Sequence, residues 1–218
     1  ELLAVGQGRA VQPATTLNSE AVLIFTTGST GQPKGVLYTH AMLLAQFRAL
    51  QSALQLGPAE TGLFGPSAMM LLGLMAGVTA VLADALSAPP AKLDMAAFTH
   101  LLQARQATLT FAAPLLCRRL VAYCQPCGLS FPHLRRLMVG GAEISPELLR
   151  DLQALLPNGD VIISLGATEI TPVALITGRQ ALAMQQPDMV NPSAAANLPG
   201  AASMSGATIT FGAACTGF

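Results

Sequence analysis

The stretch TTGSTGQPKGV, Thr26 to Val36, holds the residues of this chain best suited to chemistry. Glycines at 28 and 31 let the backbone turn tightly and approach a ligand with no Cβ in the way. Successive N–H groups in such a turn form a concave anion site. Thr26, Thr27, Ser29 and Thr30 add hydroxyl donors. Lys34, one of only two lysines in the chain, adds a point charge that suits phosphate. Together these groups describe a grip on a polyphosphate. A surface hairpin with no ligand is the bland alternative. It leaves unexplained why the lysine stands between Pro33 and Gly35, and why the apolar run Ala21–Phe25 feeds the loop.

The order of residues excludes the common nucleotide loop. That loop places lysine directly after glycine and a hydroxyl directly after lysine, at the start of a helix. Here Pro33 precedes the lysine, Gly35 follows it, no Ser or Thr is placed to hold magnesium, and a strand is expected next. Two more loops of similar character follow apolar runs, at residues 140–144 (GGAEI) and 165–169 (LGATE).

The elements that must position these loops are legible in outline. Ala21–Thr26 and Gly35–Thr39 read as short strands, and His40–Leu56 has helical spacing. Val78–Ala83, Ala107–Ala112, Arg136–Val139, Asp160–Leu165 and Ile170–Ile176 read as strands. Helices are expected between them: one capped by Asp94 and running to about Gln106, one opened by Pro114, and one opened by Ser145-Pro146-Glu147 and stopped by Pro157-Asn158-Gly159. This alternation predicts an α/β fold of layered type, a mostly parallel sheet flanked by helices. Ligands in such sheets gather at the carboxyl ends of the strands, where all three loops fall.

Composition narrows the function classes. Charged residues make up 10% of the 218 residues and apolar ones 52%, against ~25% charged in ordinary globular chains. The surface is under-provided, which predicts a piece of something larger. The formal net charge is zero, so nothing attracts nucleic acid at long range. The first residue is Glu and no basic run precedes an apolar one near it, so the expected location is cytoplasmic. Gly62–Ala83 carries no charge and is long enough to be weighed as a membrane span. Its glycines and acidic flanks, Glu60 and Asp84, favour a buried helix and strand instead. Cys124 and Cys127 form a C-x-x-C at the end of a helix rather than at its start, so buried or incidental thiols are the expectation, not redox or zinc chemistry.

TTGSTGQPKGV resembles the signature loop of the acyl-adenylate-forming superfamily, which includes acyl-CoA synthetases, peptide-synthetase adenylation domains and luciferases. GGAEI resembles that family's adenine-pocket segment, and GATE, Gly166 to Glu169, its Thr-Glu motif. SLGATEITPVALI and SAPPAKLD are most similar to the branch of olefin-pathway β-lactone synthetases and long-chain acyl-CoA ligases. The resemblance implies that residues 1–178 are part of the large N-terminal AMP-binding domain. It implies ATP-dependent conversion of a carboxylic acid, a fatty acid by the branch, to acyl-AMP, with coenzyme A or a carrier protein as acyl acceptor. Thr26, Thr27, Gly28, Ser29, Thr30, Gly31 and Lys34 would hold the β- and γ-phosphates of ATP. Thr168 would touch the α-phosphate and Glu169 would ligate Mg²⁺. Gly140, Gly141 and Ala142 would lie along the adenine and the acyl entrance. Leu165, before Gly166, stands where the family usually has an aromatic ring and offers adenine an apolar contact without stacking. The Met69–Leu72 run is a candidate acyl-pocket wall, with core packing as the alternative.

The family's ribose-binding aspartate, its hinge and its C-terminal lysine have no counterpart before Phe218. The expectation is an incomplete fragment, and the rival reading is a non-catalytic nucleotide-binding remnant. Residues 179–218 are low in complexity, with Asp188 the single charge after Arg179, and are left unassigned as a truncation or a shifted reading frame.

Overall fold

The computed structural model describes residues 15–26, 34–65, 68–82 and 87–184. The chain divides into two compact units, Glu1–Gln46 and Phe47–Phe218.

In the first unit, β1 (Glu20–Thr26) pairs antiparallel with β2 (Lys34–Thr39). Thr26 lies opposite Lys34, so residues 27–33 connect two cross-strand neighbours. Phe25 lies opposite Gly35, where a Cβ would come within 3.0 Å of the Leu23 side chain. Helix α1 (His40–Leu54) follows β2 directly. Its first N–H groups are taken up by the Ser19 and Leu17 carbonyls and, at Met42, by the Thr39 hydroxyl. Its last turns, from Phe47, belong to the second unit.

The second unit is a six-stranded sheet in the order β4-β3-β5-β6-β7-β8. The strands are β3 (Thr61–Leu63), β4 (Thr79–Val81), β5 (Leu109–Ala112), β6 (Arg136–Gly140), β7 (Asp160–Ala167) and β8 (Ile170–Thr177). All pairs are parallel except β7 with β8. The expected mostly parallel α/β sheet is what forms. The helices are α2 (Ala68–Met75), α3 (Met95–Ala104), α4 (Pro114–Cys127), α5 (Pro146–Leu155) and α6 (Gly178–Ala183).

Successive side chains of a strand point to opposite faces, and the core follows that rule. Leu137 and Val139 of β6 enter a cluster with Phe98 and Leu102 of α3, Leu120 of α4, and Leu149 and Leu152 of α5. Met138, between them, enters a second cluster with Leu50 and Leu54 of α1 and Leu72 of α2. Val161 and Ile162 of β7 divide in the same way. Both faces of the sheet are therefore covered, as parallel sheets require.

Helix ends match the sequence reading. The Asp94 carboxylate accepts from the N–H groups of Ala96 at 2.9 Å and Ala97 at 3.2 Å. Ser145 accepts from Leu148, with Pro146 in the first turn of α5. Helix α4 ends on Gly128 at φ +60, a left-handed cap that glycine adopts without strain. At Gly159 a Cβ would collide with the Leu134 carbonyl.

Three features depart from expectation. The uncharged run at 62–83 holds two strands around a helix, because β3 is only three residues long and too short to show a pattern. Among the described residues no helix is long and apolar enough to cross a membrane. Strand β7 does not stop at Gly166 but runs to Ala167, since its antiparallel partner continues the ladder. Helix α6 opens the segment in which no fold was legible; Thr177 and Gln180 form a reciprocal cap there.

At the amino-terminal end of the sheet Glu60 is 5% exposed and accepts from Arg136 Nη1 at 3.0 Å and Arg135 Nη1 at 3.5 Å. Its Oε2 is buried with no hydrogen-bond partner. Burial pushes this carboxyl pKa up, but the Thr108 hydroxyl and the Arg136 and Arg135 guanidinium groups outweigh that and hold it below its ordinary value. Such a group stabilises the fold above its unfolded pKa and loses that contribution as pH falls through the folded pKa.

Two outcomes follow for urea melts. Leu137→Ala, at a fully buried site, costs about 2–5 kcal/mol, whereas Leu115→Ala, 44% exposed, costs less than about 1 kcal/mol; equal losses would contradict the core assignment. Glu60→Gln costs about 1–3 kcal/mol near neutral pH. The gap to the unsubstituted chain narrows below about pH 4, as the native carboxylate is protonated. A gap that stays constant into acid would show that charge is not what Glu60 contributes.

Candidate active site

The carboxyl ends of β6 and β7 bring two of the three sequence-predicted loops together. Gly140 closes β6 with Ser164 of β7 as its cross-strand partner. A Cβ on Gly140 would stand 3.1 Å from the Ser164 carbonyl oxygen, so glycine lets the two strands lie this close. Gly141 follows at φ +88, in the left-handed region, and the chain turns out of the sheet. Ala142 continues that exposed turn before the Ser145 cap of α5.

Strand β7 leaves the core along its length. Val161 and Ile162 are buried, whereas Leu165 is 50% exposed and Gly166 and Ala167 are exposed. Ala167 pairs with Ile170, so Thr168 and Glu169 form the two-residue tip of the β7–β8 hairpin. The Thr171 hydroxyl donates to the Ala167 carbonyl at 2.7 Å and braces this tip. Thr168 is half-buried and Glu169 exposed. A Cβ at Gly166 would lie 3.0 Å from the Ile170 carbonyl oxygen, so a larger residue would crowd the turn.

The third loop belongs to the first unit. Lys34 begins β2 and is exposed, and Thr26 ends β1 opposite it. Thr27, Gly28, Ser29, Thr30 and Gly31 lie outside the described residues.

Among the described residues no group of three or more His, Cys, Asp or Glu is placed to hold a metal ion. One exposed carboxylate such as Glu169 is enough for a weakly protein-bound cation. Mg²⁺ usually takes one or two carboxylates and fills its other positions with water and substrate phosphates. The two buried thiols are inert: burial pushes Cys117 up to about 12 and Cys124 up to about 11, so both stay protonated at neutral pH.

An apolar cavity of about 330 Å³ opens at the carboxyl ends of β3 and β5, lined by Leu63, Phe64, Phe98, Phe111 and Leu116 among others. Thr110 in its wall donates its hydroxyl to the Leu63 carbonyl at 2.6 Å and so presents little polarity. Arg119 of α4 donates to the Pro90 and Leu93 carbonyls and fixes the outer wall. Sequence reading missed this cavity, because its residues come from four separate segments. The Met69–Leu72 run does not line it. Leu72 is core, Met69 and Met70 pack against the core, and Leu71 is exposed.

Known proteins share this chain's sequence pattern and fold. A family model described as AMP-binding enzyme matches residues 4–203. An olefin β-lactone synthetase of Xanthomonas campestris is 35% identical over 178 residues, 80% of this chain and 31% of the relative. One from Stenotrophomonas maltophilia is 32% identical over 177 residues, with the same shares covered. The chain thus spans about a third of the length of these curated relatives. The O-succinylbenzoate coenzyme A synthetase of Bacillus subtilis, solved in complex with AMP, shares the fold with a TM-score of 0.63 at 19% identity, over 77% of this chain and 34% of that one. With the family pattern running through nearly its whole length, the chain belongs to the AMP-binding enzymes.

Proposed function

We propose that this chain takes part in ATP-dependent activation of a carboxylic acid as acyl-AMP, with release of pyrophosphate. The observation that carries the reading is the pairing of Gly140 with Ser164. It sets the Gly140–Ala142 turn beside Leu165 and Gly166, at the end of a parallel sheet where ligands gather.

In this reading each residue has a defined task. Thr26, Thr27, Gly28, Ser29, Thr30, Gly31 and Lys34 bind the β- and γ-phosphates through N–H groups, hydroxyls and one ammonium. Thr168 donates to the α-phosphate. Gly140, Gly141 and Ala142 leave backbone surface open to adenine, and Leu165 supplies the apolar contact its exposure makes available. Glu169 is the ligand for Mg²⁺, which when bound neutralises phosphate charge and relieves repulsion against the incoming carboxylate. The cavity lined by Leu63, Phe64 and Phe98 suits an apolar acyl chain, which supports a fatty acid. Coenzyme A or a carrier protein is the proposed acceptor, the cytoplasm the proposed location, and residues 1–178 the proposed extent of the AMP-binding part.

Calorimetry with Mg·ATP tests this reading. Lys34→Ala weakens binding at least about tenfold, the loss expected for one hydrogen bond to a charged group; equal affinity in the two proteins would refute it. Glu169→Gln leaves ATP binding without metal unchanged and removes the gain that Mg²⁺ gives. If the metal strengthens binding equally in both proteins, Glu169 is not its ligand.

A further inference from the structure

We propose a second ligand site, for a phosphate-type anion, at the amino-terminal end of the sheet. A cavity of about 420 Å³ opens there, lined by Thr108, Pro132, His133, Arg135, Arg136 and Asn158. Its size is in the range of small-molecule sites, about 300–1,000 Å³. These residues sit where β5, β6 and β7 begin. β6 is five residues long, which at ~3.3 Å per residue separates this end from the Gly140 turn by about 13 Å.

The lining holds two guanidinium groups and an imidazole, and no carboxylate. Two acids stand at this end of the sheet: Asp160, the cross-strand partner of Arg136, pairs with Arg179 at 3.7 Å, and Glu60 accepts through Oε1 from both arginines. Glu60 offsets one of the two charges and anchors the pair. Each arginine carries five N–H donors in a planar fork. Among the described residues Glu60 is the only acceptor for either side chain, so most of those donors are unspent. Arg136 is four-fifths buried, with a side-chain exposure of 20%, so its unspent donors are held in place rather than dispersed in solvent.

Hydrogen bonds within the chain hold the walls in place. The Thr108 carbonyl accepts from the backbone N–H of Arg135 at 2.9 Å and of Arg136 at 3.0 Å. Across the cavity Asn158 Nδ2 donates to the Pro132 carbonyl at 3.2 Å. A site built in advance loses little to ordering when it binds. Two adjacent forks and His133 offer more donors than the two oxygens of a carboxylate accept. The four oxygens of inorganic phosphate, or the three terminal oxygens of a phosphate monoester, match them. No residue of this site has a role in the proposed acyl activation, so the two readings stand or fall separately.

The test is an amide NMR titration of the whole chain at constant ionic strength, first with inorganic phosphate and then with AMP. Saturable shifts are expected at Arg135, Arg136 and Asn158. Affinity at these amides falls at least about tenfold in His133→Gln/Arg135→Gln and is retained in Lys34→Ala. Tighter saturation by AMP than by phosphate identifies a monoester as the ligand; the reverse identifies the free ion. Both substituted side chains are exposed, so the variant keeps its fold, and the unsubstituted chain maps the site in any case. The absence of saturable shifts at these amides would overturn the proposal. So would shifts that vanish with Lys34→Ala and persist in the double variant.

Discussion

The parallel pairing of β6 with β5 on one side and β7 on the other is the constraint on which the rest of the second unit depends. Five residues of β6 serve four purposes. Arg136 begins the strand and ties it to Glu60. Leu137 and Val139 fill one core, Met138 fills the other, and Gly140 ends the strand against Ser164. The register is fixed because a slip of one residue would exchange the two faces and put Met138 where Leu137 packs. Such a slip would also move Gly140 away from Ser164, and Val139 in its place would crowd the Ser164 carbonyl, which an added Cβ already meets at 3.1 Å.

The candidate active site is built mainly from backbone at strand ends. Gly140, Gly141 and Gly166 contribute space and N–H groups rather than functional side chains, and their tolerance for close approach is what packs β6, β7 and β8 together. The candidate side chains, Thr168 and Glu169, sit at the tip of a hairpin braced by Thr171. A two-residue tip restricts where an exposed carboxylate reaches, so Glu169 is positioned by its backbone although its side chain is in solvent.

Most of this was legible in the sequence where local signals are strong. Asp94, Pro114 and Ser145-Pro146 marked helix starts because a cap or a fixed φ acts within one turn. The strands at 136–139 and 160–165 were legible because buried parallel strands read as short apolar runs. Strand β3 was not, since three residues carry no period. The reach of β7 past Gly166 was not, because its partner strand, not its own residues, decides where the ladder ends. The apolar cavity was invisible for the same reason: Leu63, Phe98, Phe111 and Leu116 are distant in sequence and meet only in the sheet. Conversely, the Met69–Leu72 run looked like a pocket wall because flexible side chains suit one, but burial settles Leu72 as core. The signal for the basic cavity was the pair Arg135-Arg136 directly before an apolar strand, a place where charge has to be anchored.

The scarcity of charge, unusual by composition, also has a location. Exposed large apolar side chains lie on α2, at Leu71, Leu74 and Met75, on the β7–β8 hairpin, at Leu165, Ile170 and Val173, and on β1 and β2, at Leu23, Phe25 and Leu37. Spaced three and four residues apart, the first group forms one stripe along its helix. The second surrounds the tip that bears Thr168 and Glu169. A contiguous apolar patch of this kind left in water is a liability and marks a place of contact. Glu60, Arg135 and Arg136, with the Asp160–Arg179 pair, lie at the opposite end of the sheet. The two ends of the sheet therefore differ: exposed apolar side chains and exposed acids at one, arginines paired with acids at the other. That polarity follows from β6 and its neighbours all running in one direction.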